Sequence, residues 1–414
     1  MNRGITIGVA ALLLAIVVTA LAQEHRNPVV PPKPWRSRNY EVLGNLPTAE
    51  ARPIVAHMDA VYEEYERRFA SFPARNSSTT RLYLYDTNAS YIENLARQGV
   101  RAENTGGVFF WTSKESGLAT FVEGQSGLRM YHVLQHEGFH QFAQSRIGDS
   151  LPIWANEGVA EYFGQGILVK GKLKTGVAPE SRIERVREQI RKEMEFPLAE
   201  LLTITHERWN MAVGGGDPRA GVLYDQSWSV VHFLINADNG KYADALSTFI
   251  KVSSTGAGAE QAMIKAFGSA DAARAMDKKW RDWVLNDWKP DPLSTAAERV
   301  EFLGEGIAAL AAAKAPFSSM EELKAGLRAI KFQLRRVDHG IPRILSATDD
   351  KLFEPPMLDD SRLGRKKPEM QLVAPKDTKN APRLPEIRVT GLSAVVRLKW
   401  SGTDSQPRPE VVFE

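Results

Sequence analysis

Two histidines and two glutamates at helical spacing, separated by one break, constrain this chain more than anything else in it. His136 and His140 stand four apart in "HEGFH", with Glu137 directly after the first. Glu157 and Glu161 stand four apart in "LPIWANEGVAEYF". Residues four apart share a helix face, with Cβ atoms roughly 5–6 Å apart. The interval between the pairs holds Gly148 and Pro152, which suits a helix end, a short turn and a helix returning alongside the first. A fold that honours both spacings brings the four side chains to one place.

Two imidazoles on one helix face can bind one zinc at about 2.0–2.1 Å from each nitrogen. Glu137 lies about 100° round the helix from His136, badly placed as a ligand and well placed to reach a water beside the ion. A catalytic zinc takes three protein ligands and keeps one position open, and Glu157 supplies the third. Glu161, one turn on, can accept a hydrogen bond from a ligand histidine and set its tautomer. His132 extends the row, but eight residues separate it from His140 by about 12 Å along the axis. One ion cannot reach both, which leaves His132 a structural or supporting role. The metzincin extension would need Gly and His three and six residues after the motif; those positions are Ala143 and Arg146.

H-E-x-x-H followed by N-E-G-x-A-E resembles the gluzincin metallopeptidases, with the thermolysin and aminopeptidase N type of zinc site. More closely, the chain is similar to a bacterial family of exported, largely uncharacterised proteins with a gluzincin-like domain. There the HE..HQ, LP.W..EG.AEY and later Y..S motifs occur in this order, here over about Tyr40 to Trp288. The resemblance implies His136, His140 and Glu157 as ligands of one Zn(2+) per chain. It implies Glu137 as general base and Glu161 as the acid behind the ligands. In "YDQS" it implies Tyr224 as the donor to the oxyanion, with His232, two turns on, as the fallback. The aminopeptidase G-x-M-E-N motif, whose glutamate holds a free amino terminus, is missing before His136, so endopeptidase action is the expectation. Either "GGVFFWTSKE" or "GLATFVEG" offers a sheet edge for an extended peptide or protein substrate, or simply covers the core. The same site would also serve a hydrolase of cell-wall amides or a non-catalytic exported binding or scaffold protein. Glu137 and the absence of a fourth protein ligand argue against the last.

The expected fold class is α+β and zincin-like: a small mixed sheet, the active-site helix and a mainly helical C-terminal lobe. Residues 1–22 read as a signal peptide cleaved after Ala22, ahead of an extended lead-in over 23–39. The resemblance implies a gluzincin-like metallopeptidase domain over 40–290, and periodicity reads a helical extension over 291–345, with helices to about Val337. A Pro/Lys-rich linker over 346–386 and a small β-hairpin tail over 387–414 complete the chain. The chain has no cysteine, and export without disulfides suits a bacterial periplasmic or secreted protein. The net charge of +3 in 414 residues gives no argument for a nucleic-acid partner. Membrane contact is expected only through an uncleaved signal segment. The seven basic residues of 362–383 read as a solvated linker, and Trp280, Trp283 and Trp288 as packing residues.

Overall fold

In the computed structural model, residues 33–72, 80–112, 115–215, 217, 219–338, 341–358, 367–375 and 382–414 are described. The expected signal segment and the first part of the lead-in, like half of the basic stretch 362–383, lie outside them. Among the described residues no helix is long and apolar enough to cross a membrane. The fold is α+β, as expected from the sequence.

The N-terminal layer is a five-stranded mixed sheet of β1 (Trp35–Arg36), β2 (Glu41–Gly44), β3 (Arg81–Tyr85), β4 (Gly107–Trp111) and β5 (Ser116–Phe121). Its order is β1-β2-β3-β5-β4, so β4 is an edge. β2, β3 and β5 run parallel, while β4 returns antiparallel to β5. The period of two in "RLYLY" assigns its two faces. Leu82 and Leu84 join the main core with helix α1 (Thr48–Arg68), whereas Tyr83 and Tyr85 pack with Tyr91 and Leu95 of α2 (Asn88–Arg97).

Helix α3 (Gly127–Arg146) carries the two histidines and α4 (Ile153–Gly164) the two glutamates. Ser126 opens α3 by accepting from the Arg129 N–H. Gly148, at φ 79°, closes it, since only glycine adopts that conformation freely. Pro152 then stands at the start of α4, where its missing N–H costs nothing. Phe139 and Phe142 are buried against Tyr65 of α1 and Phe69 just past its end, each stabilising by about 1.5–3 kcal/mol. A hairpin follows as β6 (Ile167–Val169) and β7 (Lys172–Lys174).

The helical lobe comprises α5 (Glu180–Arg191), α6 (Leu198–Leu202), α7 (His206–Gly214), α8 (Ala220–Asn236), α9 (Ala243–Ser254), α10 (Ala259–Phe267) and α11 (Ala270–Asp282). Trp280 and Trp288 are buried in its core, with Trp283 stacked on Trp288, so the tryptophans pack as read. Helix α8 lies against α4 with almost no gap. A Cβ built on Gly158 would stand 2.7 Å from the Ser227 carbonyl oxygen.

The C-terminal region differs from its sequence reading. Helices α12 (Pro292–Ala312) and α13 (Met320–Ala329) are present, the latter with the Ser319 cap. Gln333–Asp338, expected at the end of a helical stretch, is instead strand β8, paired with β9 (Ile341–Ser346). The Pro/Lys-rich segment is not only linker. Leu352 is buried within a 3₁₀ turn, and Glu369–Val373 forms β10. Met370 and Leu372 alternate there with exposed Glu369 and Gln371, a period-two pattern that composition obscured. The tail supplies β11 (Glu386–Thr390), β12 (Val396–Thr403) and β13 (Gln406–Phe413), which with β10 make a four-stranded antiparallel sheet rather than a hairpin. Val300, Phe302 and Leu303 of α12 share a second core with Val389, Val396 and Leu398 of this sheet.

The tight α4–α8 contact leaves no room for a methyl group. Gly158→Ala is expected to push the helices apart and cost about 1–3 kcal/mol of stability, measurable as a lowered midpoint in thermal or urea unfolding.

Candidate metal centre

The turn between α3 and α4 brings the two helices side by side, and three side chains converge between them. His136 Nε2 and His140 Nε2 lie 3.1 Å apart. Glu157 Oε2 stands 3.4 Å from the first and 3.6 Å from the second. A tetrahedral ion bound at 2.0–2.1 Å holds its ligand atoms about 3.3–3.4 Å from one another. The observed triangle has that size, and the group can hold a metal ion.

The atoms behind the triangle fit the same purpose. His136 Nδ1 lies 2.9 Å from Glu161 Oε1, so with Nδ1–H donated to the carboxylate, Nε2 presents its lone pair to the triangle. His140 Nδ1 lies 3.1 Å from Asn156 Oδ1, which does the same for the second ring. Asn156 escaped the sequence reading, although its position next to Glu157, about 100° round the helix, was a signal that could have found it. His132 stands 3.8 Å from Glu161 Oε2 and 3.0 Å from Gln165, supporting the site without joining the triangle.

The electrostatics favour a cation. Burial opposes charge on His136, but Glu157 and Glu161 outweigh it and hold its proton affinity well above the ordinary histidine value. His140 is raised as well, against burial, by Glu157. Glu157 moves the opposite way, its burial overcome by the two histidines, and its carboxyl lies below the usual range. The cluster therefore draws in positive charge, which a proton or a metal cation can supply.

Glu137 projects from the same helix toward the sheet edge, where its Oε2 accepts the Phe109 N–H of β4 at 2.8 Å. It lines the two cavities that flank the triangle. One, of about 590 Å³, includes Tyr131, His136 and Glu137, with Val337 and Phe413 from the C-terminal region. The other, of about 230 Å³, includes Phe109, His140, Glu157 and His206. His206, the first residue of α7, carries no local sequence signal; only the packing of α7 brings it here.

Tyr224 is half-buried on α8, edge-on to Trp209 at 5.1 Å, and lines neither cavity. Burial first, and then the Glu157 carboxylate, raise the pKa of its hydroxyl well above the ordinary tyrosine value, so it is a neutral phenol. His232, the expected fallback, is not at the site. It is fully buried among Tyr162, Trp228 and Trp288, and among the described residues neither ring nitrogen has a hydrogen-bond partner. Two turns of helix carry it past the triangle into the core.

Fold and site together define an α+β protein with a two-histidine, one-glutamate cluster between paired helices that can hold a metal ion. Residues 132–255, from within α3 to just past α9, match a family described as a protein of unknown function (DUF1570). The match spans the triangle, Glu161 and Tyr224. A comparison with curated proteins finds no match for the chain.

His232 also makes a prediction about acid stability. Burial lowers its pKa from 6.5 to about 3, with Arg182 adding to the shift. The unfolded chain therefore binds a proton between those values that the folded chain refuses. The stability tied to neutral His232 is complete above pH 6.5 and is lost as pH falls toward 3. His232→Leu is expected to unfold at a lower pH than the parent, its relative stability rising steadily from pH 7 to pH 4 in denaturant titrations.

Proposed function

We propose that the chain is an exported zinc metallohydrolase of the gluzincin type, acting as an endopeptidase on extended peptide or protein substrates. The observation that carries this reading is the triangle of His136, His140 and Glu157 at tetrahedral spacing, with Glu137 beside it but outside it. A structural zinc has no use for an adjacent free carboxylate and is usually closed by a fourth protein ligand.

Zinc held by the three residues would supply a water of lowered pKa and a Lewis acid for the scissile carbonyl. Glu137 accepts the proton of the attacking water and returns it to the departing amine nitrogen. Its bond to the Phe109 N–H fixes where that carboxylate stands. The developing oxyanion needs a donor. Tyr224, held as a neutral phenol, fits by chemistry, while His206 fits by its place in the smaller cavity.

The edge strand supports a peptide substrate. Along an antiparallel strand, alternate residues turn their backbone groups away from the partner. Phe109 gives its N–H to Glu137 rather than to β5, so Phe109 and Trp111 face outward. Among the described residues the sheet has no further strand beyond β4. An extended peptide laid there pairs with the outward backbone groups that Glu137 does not take, while its carbonyl passes the triangle. The signal-like segment over 1–22 supports export.

The test is a mixed-peptide digest by the zinc-loaded protein beside Glu137→Gln, read by mass spectrometry. Internal cuts are expected from the parent and none from the variant, with one zinc per chain in both. Zinc binding with no cuts from the parent would turn the reading toward wall-derived amides. A second comparison separates the oxyanion donors. Tyr224→Phe is expected to lower kcat by about 10²–10³-fold with little change in KM, and His206→Gln to leave kcat within a few-fold. Reversal of that order would give the role to His206.

A further inference from the structure

Behind the candidate metal centre runs a line of charged side chains that the chemistry above does not use. Glu161, fully buried, gives one oxygen to His136 and the other to Arg182, whose Nη1 stands 2.5 Å from Oε2. Arg182, on α5 and 3% exposed, turns its Nε to Asp225 Oδ1 of α8 at 3.1 Å. Asp225, 1% exposed, is gripped further by Arg185 at 2.7 Å and by Gln189 at 2.9 Å. The Arg182 guanidinium lies over the Trp228 ring, 4.1 Å from its centroid. Four helices, α3, α4, α5 and α8, are thus joined by one alternating chain: imidazole, carboxylate, guanidinium, carboxylate, guanidinium.

We infer that Arg182 and Asp225 are positioning residues for the metal centre, acting on His136 through Glu161. This rests on the metal-centre reading above. A carboxylate free to turn about its last bond gives a ligand histidine no fixed partner. Arg182 removes that freedom by holding Oε2, which leaves Oε1 directed at His136 Nδ1. Arg182 is itself aimed by Asp225 on one side and by the Trp228 face beneath it. The fork of the guanidinium is essential, because one side chain must reach two carboxylates in different directions, which a single ammonium does less well. The chain also gives the "YDQS" motif a second purpose. Asp225 follows Tyr224 on α8, so the residue that aims Arg182 also ties the tyrosine's helix to α5.

The test measures zinc affinity of the full chain by competition with a fluorescent zinc chelator. It forms a double-mutant cycle of Arg182→Met and Glu161→Gln. Loss of an outer partner typically costs 10–100-fold in metal affinity. Arg182→Met is expected to weaken zinc binding by about 10-fold in the parent and to have no further effect in Glu161→Gln. The same loss in both backgrounds would overturn the inference, because Arg182 would then act by packing alone. So would an unchanged affinity. Removing one member of a buried charge pair is destabilising, so Arg182→Lys, which keeps the charge, is measured alongside. It is expected to fold and to lose about 3-fold or more in affinity; full parental affinity would overturn the role of the fork. A parent that binds no zinc would overturn the metal-centre reading together with this inference. A parent that binds zinc but cleaves no peptide would overturn only the peptidase reading.

Discussion

The seating of α4 against α3 is the contact on which the rest depends. Glu157 reaches the two imidazoles only because Gly148 and Pro152 reverse the chain within a few residues. It stays there because Gly158 lets α8 press on the outer side of α4. Helix pairs commonly lie 8–10 Å apart, and a glycine at the crossing removes the side chain that would otherwise set the spacing. The triangle is therefore compressed from behind as well as defined from within. Its three ligand atoms sit at tetrahedral separation through packing, not through any one strong bond.

Charge follows the same logic. Burying carboxylates and imidazoles together is costly unless each meets an opposite partner. The protein meets this by alternation, from His136 through Glu161, Arg182 and Asp225 to Arg185. On the open side the sequence continues with Glu137, held by a backbone N–H of the sheet edge. The site is thus tied down behind by paired charges and open in front, where Glu137 lines both cavities. The larger cavity takes one of its walls from the C-terminal region, so the second core contributes to the shape of the cleft as well as to its own stability.

Much of the site was legible because its information is local. H-E-x-x-H and the Glu157–Glu161 pair are statements about one helical turn each, and a turn of helix is the same in any protein. The break between them is equally local, since Gly148 and Pro152 act through their own backbone dihedrals. Asn156, Arg182 and His206 were missed for the opposite reason. An asparagine beside a glutamate, an arginine in a basic helix and a histidine at a helix start are each common. Asn156 gains its role only once α4 lies beside α3, and only the packing of α5 and α7 on α8 brings Arg182 and His206 to the site. His232 shows the error in reverse: helical phase suggested the site, yet distance along α8 placed the ring among tryptophans.

By itself, then, the sequence determined the elements near the site, the pairing of histidines and glutamates by face, and the α+β class. These follow from periods of 3.6 and two, which need no partner to be read. Tertiary structure decided which faces meet. It turned β4 into an edge, drew Met370 and Leu372 out of a Pro- and Lys-rich stretch into a sheet, and linked Glu161 to Asp225 through Arg182. Those outcomes depend on contacts between residues tens to hundreds of positions apart, where the gain from burying one surface is defined only once the opposing surface exists.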